Sequence, residues 1–250
     1  MDRYASTANL NARRLAWPAC SNVRDLGGLT TGTGAVTRFG RFIRANSLAR
    51  LTESGWQQLR AYGVHTIVDL RAPRETRADG YDIPFGDSPL VHAAISMLPM
   101  DQGTEHLFEI ASTRGEEYTL FVETYQPAIA TIVRTLALAP EGGVLFHCQG
   151  GKDRTGILAA LLLSLAGVPK GTIVADYALS QHLLRPDWER RVAAALASGA
   201  PVPEEPLSEP ATMEKLLAHW RERYGGPQGY LESIGVGRKV QEMLHSRLLD

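Results

Sequence analysis

The sequence predicts an α/β fold, with a mostly parallel central sheet flanked by helices. Three observations predict it. Two short apolar runs, Val64–Leu70 and Val144–Phe146, alternate with longer stretches whose apolar residues recur at helical spacing. Both runs end in residues that carry chemistry, Asp69–Arg71 and His147–Cys148, as strands of open α/β sheets do at their carboxyl ends. The second run passes through a Gly-rich turn into an apolar helix, Ile157–Ala166.

Taken in order, residues 1–21 read as a polar arm leading to Trp17-Pro18. Asn22–Leu29 and the alternating Phe39–Arg44 form a hairpin around the Gly32-Thr33-Gly34 turn. A helix follows from Leu51, capped by Thr52, to Tyr62, and Gly63 stops it. Val64–Arg71 is a strand. Residues 72–116 are the least regular, rich in Pro and Gly, with one strand at Leu90–Ile95. Within them, 78–116 is long enough to be a lid or specificity insert. Glu117–Ala139 is a long helix that Pro127 bends or divides. Beyond the central strand and its helix, Gly167-Val168-Pro169 makes a stop and Thr172–Leu184 a further helix. Residues 185–250 form a helical C-terminal part: Pro186–Ala197, a Pro/Glu-rich linker at 201–210, Ala211–Tyr224, a short helix around Tyr230 and a basic Val236–Leu249.

Composition sets bounds. The 250 residues are 44% hydrophobic and 21% charged, ordinary for one globular domain spanning 1–250. A net charge of −1 argues against nucleic acid as a partner, and no apolar run is long enough to cross a bilayer. Two cysteines, Cys20 and Cys148, make no disulfide framework, and the first twenty residues lack a signal-peptide core. The expected location is cytoplasmic, with export lacking a cleavable signal left open; oligomeric state is not readable.

The segment Val144–Gly156 organises the chain. Five residues separate Cys148 from Arg154, enough to wrap a loop around a tetrahedral anion. Gly150 and Gly151 allow backbone N–H groups to turn inward, and the helix behind adds its positive end. Gln149, Gly150, Gly151, Lys152 and Thr155 are the candidate anion ligands. Arg154 supplies a planar fork for two phosphate oxygens. A cysteine in this field is favoured as thiolate. The pattern points to cysteine-based phosphoryl transfer.

His147-Cys148-x-x-Gly151-Lys152-Asp153-Arg154-Thr155-Gly156 resembles the signature loop of the protein-tyrosine-phosphatase superfamily. Gly-Lys-Asp-Arg-Thr-Gly resembles the bacterial tyrosine/serine phosphatases that also hydrolyse phosphoinositides. Asn22–Gly28, Val68–Arg71 and Asp176-Tyr177-x-Leu179-Ser180 fit the same family, so the resemblance spans roughly 20–182. It implies a phosphotyrosine-protein-phosphatase-like fold, a phosphoprotein or phosphoinositide substrate, and no metal or other cofactor.

On that reading Cys148 is the nucleophile and Arg154 the phosphate ligand, with the Thr155 hydroxyl bonded to the sulfur. Lys152 offers a second cation for a second phosphate. The Trp-Pro-Asp loop of better-known members is missing, so the acid lies elsewhere. Asp153 ranks first and Asp69 second; Asp79, Asp82, Asp87 and Asp101 are candidates by position only. Asp69 is equally readable as a partner of Arg71, Arg74 or Arg24. Arg24 is a candidate phosphate contact, against the favoured reading of Arg24 and Asp25 as structural ion pairs. His147 fixes loop geometry or packs the strand end. Cys20 is structural, or forms a protective disulfide with oxidised Cys148. A non-catalytic phosphate-binding module is the alternative function, and against a third reading, an oxidoreductase or sulfur-transfer enzyme, no second cysteine stands within or beside the loop for a thioredoxin-like route.

Overall fold

The computed structural model describes residues 12–84, 90–98 and 109–249. The strands β1 (Arg24–Asp25), β2 (Phe42–Ala45), β3 (Val64–Asp69), β4 (Val91–Ala94) and β5 (Gly143–His147) form one sheet. Their spatial order is β1-β2-β5-β3-β4, with only β1–β2 antiparallel among the neighbouring pairs of the described residues. The last strand in sequence therefore lies at the centre. Register places Ala45, Asp69 and His147 level at the carboxyl edge, which is where parallel strands deliver functional loops.

Period-two alternation assigns the two faces. Phe42, Val68, Val144 and Phe146 belong to the larger core, and Ile43, Ile67 and Leu145 to the smaller. The smaller face is covered by α1 (Glu53–Ala61), through Trp56 and Leu59, and by Trp17, Cys20 and Val23 of the N-terminal segment. Thr52 caps α1 as expected, its hydroxyl accepting from the Gly55 N–H. The larger face is covered by α4 (Gln126–Leu138), α5 (Asp153–Leu165), α7 (Pro210–Tyr224), α8 (Pro227–Ser233) and α9 (Arg238–Leu249). The helix α5 is buried on nearly every side, from Thr155 through Leu163, so the loop preceding it stands on a rigid base.

Several expectations change. A short helix, α2 (Pro73–Ala78), lies inside the stretch read as irregular, with Pro73 at its start. Of the two outcomes expected at Pro127, division is the one found, giving α3 (Arg114–Thr124) and α4, with Pro127 in the first turn of the second helix. Conversely Pro186 does not end a helix. The two helices expected there form one, α6 (Lys170–Ser198), which carries Pro186 in its interior. No described helix is long and apolar enough to cross a membrane.

Candidate active site

Cys148 is the first residue after β5 and only 2% exposed. From there to α5 the chain makes a short loop whose carbonyls are tied outward. The Ser47 N–H donates to the Gln149 carbonyl at 3.0 Å. The Asn22 amide donates to the Gly150 and Gly151 carbonyls, both at 3.0 Å, and Arg44 Nη2 to the Gly151 carbonyl at 2.8 Å. In a trans peptide C=O and N–H point opposite ways, so these ties turn the N–H groups of Gly150, Gly151 and Lys152 toward the bowl. Gly151 has φ +64°, and a Cβ there would lie 2.4 Å from the Ala45 carbonyl oxygen. Glycine is required at that position. Gly150 is different, since a Cβ there would meet nothing nearer than 3.9 Å.

Arg154 closes the bowl from the first turn of α5. Its guanidinium is gripped in two-pronged fashion by Glu75 of α2, at 2.5 and 2.7 Å. The other duty of Glu75 is local: it accepts the Ala72 N–H at 2.7 Å and so caps α2. Burial pushes the Glu75 carboxyl up, but Arg154 outweighs it and holds the group below its usual value. Burial likewise opposes the Arg154 charge, yet neighbouring Cys148 and Glu75 leave it more firmly protonated than usual.

Asp153, at the start of α5, is 40% exposed and has Lys152 Nζ 3.6 Å away. The buried Tyr118 hydroxyl donates to Asp153 Oδ1 at 2.6 Å, and Tyr177 stands behind Tyr118 at 3.0 Å. One oxygen is thereby fixed and the carboxyl oriented.

Behind the loop sits a buried charge cluster. Arg13, Arg24 and Arg44 converge on the Asp176 carboxylate, all nearly inaccessible. Burial alone would raise Asp176, but the three guanidiniums hold it far below the ordinary carboxylate range. Arg24 falls to about 9 through burial and the like charge of Arg44. Arg24 also grips Asn22 Oδ1 at 2.6 Å, which aims the Asn22 amide at the loop.

Beneath Cys148, His147 is buried and pulled down to about 4 by that burial, hence neutral. A carbonyl only accepts, so Nδ1–H donates to the Cys148 carbonyl at 3.2 Å and Nε2 accepts from the Tyr81 hydroxyl at 2.7 Å.

A family model described as the tyrosine phosphatase family matches residues 15–250. The chain belongs to the tyrosine phosphatase family. A tyrosine-protein phosphatase of Nostoc commune is 34% identical, covering 83% of this chain and 74% of its own. The triple specificity protein phosphatase PtpB of Mycobacterium tuberculosis is 29% identical, covering 93% and 98%. The crystal structure of TpbA from P. aeruginosa is a distant likeness at 22% identity and TM-score 0.35, covering 65% of this chain and 81% of that one.

In this phosphatase, several expected site residues stand apart from the bowl. Arg24 is not a phosphate contact: it is wholly buried and spent on Asp176, Asn22 and Ser180. Asp69 is not placed as an acid. It is 1% exposed and clamped by Arg71 Nε and Nη2, which outweigh burial and keep it below its usual value. A carboxylate held ionised has no proton to give. The Thr155 hydroxyl, expected on the sulfur, has no hydrogen-bond partner among the described residues. Gln149 extends its exposed side chain to Asp79, at 3.0 Å. Asp82 is exposed, while Asp87 and Asp101 lie outside the described residues, as does much of the expected 78–116 insert. No group of three or more metal-binding side chains occurs among the described residues.

Sequence reasoning missed Glu75, Tyr81 and Tyr118. For Glu75 a signal existed, a carboxylate two residues after Pro73, which is helix-start chemistry. Neither tyrosine carries any local signature.

Proposed function

We propose that the protein hydrolyses phosphomonoesters through a cysteinyl-phosphate intermediate, acting on phosphotyrosine and, less selectively, on phosphoserine, phosphothreonine and phosphoinositides. The supporting observation is the loop with its carbonyls tied outward and Arg154 held beside Cys148 by Glu75. Substrate phosphate sits in the bowl, its oxygens bonded by the inward N–H groups and by Arg154. These donors are fixed before charge develops, which is where preorganisation lowers the barrier.

The Cys148 thiolate attacks phosphorus; the S–P bond forms as the ester P–O bond breaks. Asp153 gives its proton to the departing oxygen. A water then attacks phosphorus, Asp153 takes a proton from it, and the S–P bond breaks to release inorganic phosphate and thiolate. Neutral His147 shapes the floor, its Nδ1–H held on the Cys148 carbonyl, and takes no part in proton transfer. Lys152, only 13% exposed and beside Asp153, adds positive charge at the rim, where a second phosphate of an inositol ring would lie. The name of the PtpB relative supports a substrate range beyond tyrosine.

Hydrolysis of para-nitrophenyl phosphate without added metal tests the reading. Wild type turns over, Cys148→Ser is inactive, and Asp153→Asn turns over more slowly than wild type. Full activity in Cys148→Ser would remove the nucleophile assignment. Phosphate binding without turnover in wild type would favour the binding-module alternative.

A further inference from the structure

A cavity of about 760 Å³ opens beside the loop, with Gln149 and Gly150 in one wall and Trp188, Arg191 and Glu204 in the opposite part of the chain. Such a volume is that of a ligand site rather than of a packing defect. Cys148, Arg154 and Asp153 do not line it, so it is a neighbour of the bowl and not the bowl itself. The separation is short. Gly150 is two residues from Cys148, so their Cα atoms lie within about 8 Å. A peptide with a phosphorylated residue in the bowl advances about 3.3 Å per residue, and brings its next one or two side chains to this cavity.

The charges of the walls are unequal once their pairings are counted. Asp187 is engaged by Arg190 and by the Ser21 hydroxyl. Asp79 accepts from the Gln149 amide. Arg50 and Arg191 are both exposed, and neither has an ion pair or hydrogen bond among the described residues. Glu204 is the remaining acid of the lining, with no ion pair or hydrogen bond among the described residues. Two free guanidiniums therefore face one free carboxylate. Trp188, its indole N–H committed to the Pro203 carbonyl at 2.9 Å, contributes an apolar wall.

We propose that this cavity is a specificity subsite for an acidic side chain flanking the phosphorylated residue of a peptide substrate, with Arg50 and Arg191 as its ligands. The proposal rests on the phosphatase reading above. A single carboxylate on an apolar stem matches two guanidiniums, an indole face and one repelling acid. A headgroup bearing several phosphates does not, because the repulsion from Glu204 grows with each added negative charge.

The test compares kcat/KM for two phosphotyrosine peptides, one flanked by glutamates and one by glutamines, with wild type and the R50Q/R191Q double variant. Para-nitrophenyl phosphate and a short-chain phosphatidylinositol bisphosphate run in parallel. Wild type should prefer the acidic peptide about tenfold, the upper range for two ion pairs to exposed arginines. In the double variant the preference should fall to about unity, and para-nitrophenyl phosphate turnover should be unchanged. Equal turnover of both peptides by wild type, or a preference that survives in the double variant, overturns the subsite alone. If the double variant loses more activity on the inositide than on the acidic peptide, the cavity serves a headgroup and the peptide assignment is wrong. Absence of para-nitrophenyl phosphate turnover in wild type would overturn the catalytic reading and the subsite together.

Discussion

Replacing Asp176 by asparagine removes the carboxylate that three buried guanidiniums share while leaving side-chain volume almost unchanged. Arg24 and Arg44 are at most 1% exposed, and Arg13 4%. Breaking a buried ion pair from one side leaves an uncompensated charge, at about 3–5 kcal/mol. That is a large share of the 5–15 kcal/mol typical of a domain. With a urea m-value of roughly 3 kcal/mol/M, the unfolding midpoint falls by about 1–2 M, readable from fluorescence of the buried Trp17, Trp56 and Trp220. The hydrogen bonds of Arg13 go to the Asp25 carbonyl and to Asp176, not to the loop, so Arg13→Gln in the Asp176→Asn background relieves one unpaired charge and recovers part of the loss. A drop of less than about 1 kcal/mol in the single variant, or no recovery in the double, would refute the claim that Asp176 neutralises this cluster. The depressed native value of Asp176 also fixes the pH sign. Its stabilisation is present above the unfolded carboxylate value near 3.9 and is lost only as pH falls through the lower native one.

Gly151→Ala should abolish turnover and destabilise by at least about 1–2 kcal/mol from the left-handed backbone alone, whereas Gly150→Ala should keep the wild-type unfolding midpoint, its Cβ having open space. His147 titrates near 4 in the native state against about 6.5 unfolded. The unfolded chain therefore binds more protons between those values, and stability should fall by roughly 3 kcal/mol as pH drops from 6.5 to 4. His147→Gln should flatten that part of the curve; an unchanged slope would assign the loss to other groups. Tyr118→Phe frees the Asp153 carboxyl from its 2.6 Å tether. Turnover of phenyl phosphate, whose leaving group needs a proton, should fall about tenfold or more, and para-nitrophenyl phosphate less. Equal losses on both would reduce Tyr118 to a packing role.

What the sequence determined by itself is local or periodic. The alternation of apolar runs sets the sheet and its helices, because burial acts on patterns two or three to four residues apart. The segment Cys148–Gly156 declares a phosphate loop, since its glycines, arginine and cysteine are adjacent in the chain. Pro127 and Pro186 show where such reading runs out. The sequence offers a bend or a division at Pro127 and a new helix at Pro186, yet the chain divides only at Pro127 and α6 holds Pro186 in its interior. The three-dimensional fold decided the remainder. Asp69 sits at the same sheet edge as His147, but Arg71 beside it turns a possible acid into a fixed counter-ion. Arg24, Asn22 and Asp176 lie up to 154 positions apart in the chain, and meet only because β1 and α6 both pass behind the loop. Glu75 and Tyr118 reach Arg154 and Asp153 across 79 and 35 positions. Side chains that orient a site act through contacts over distances where the chain has no periodicity, so only the packed structure could name them.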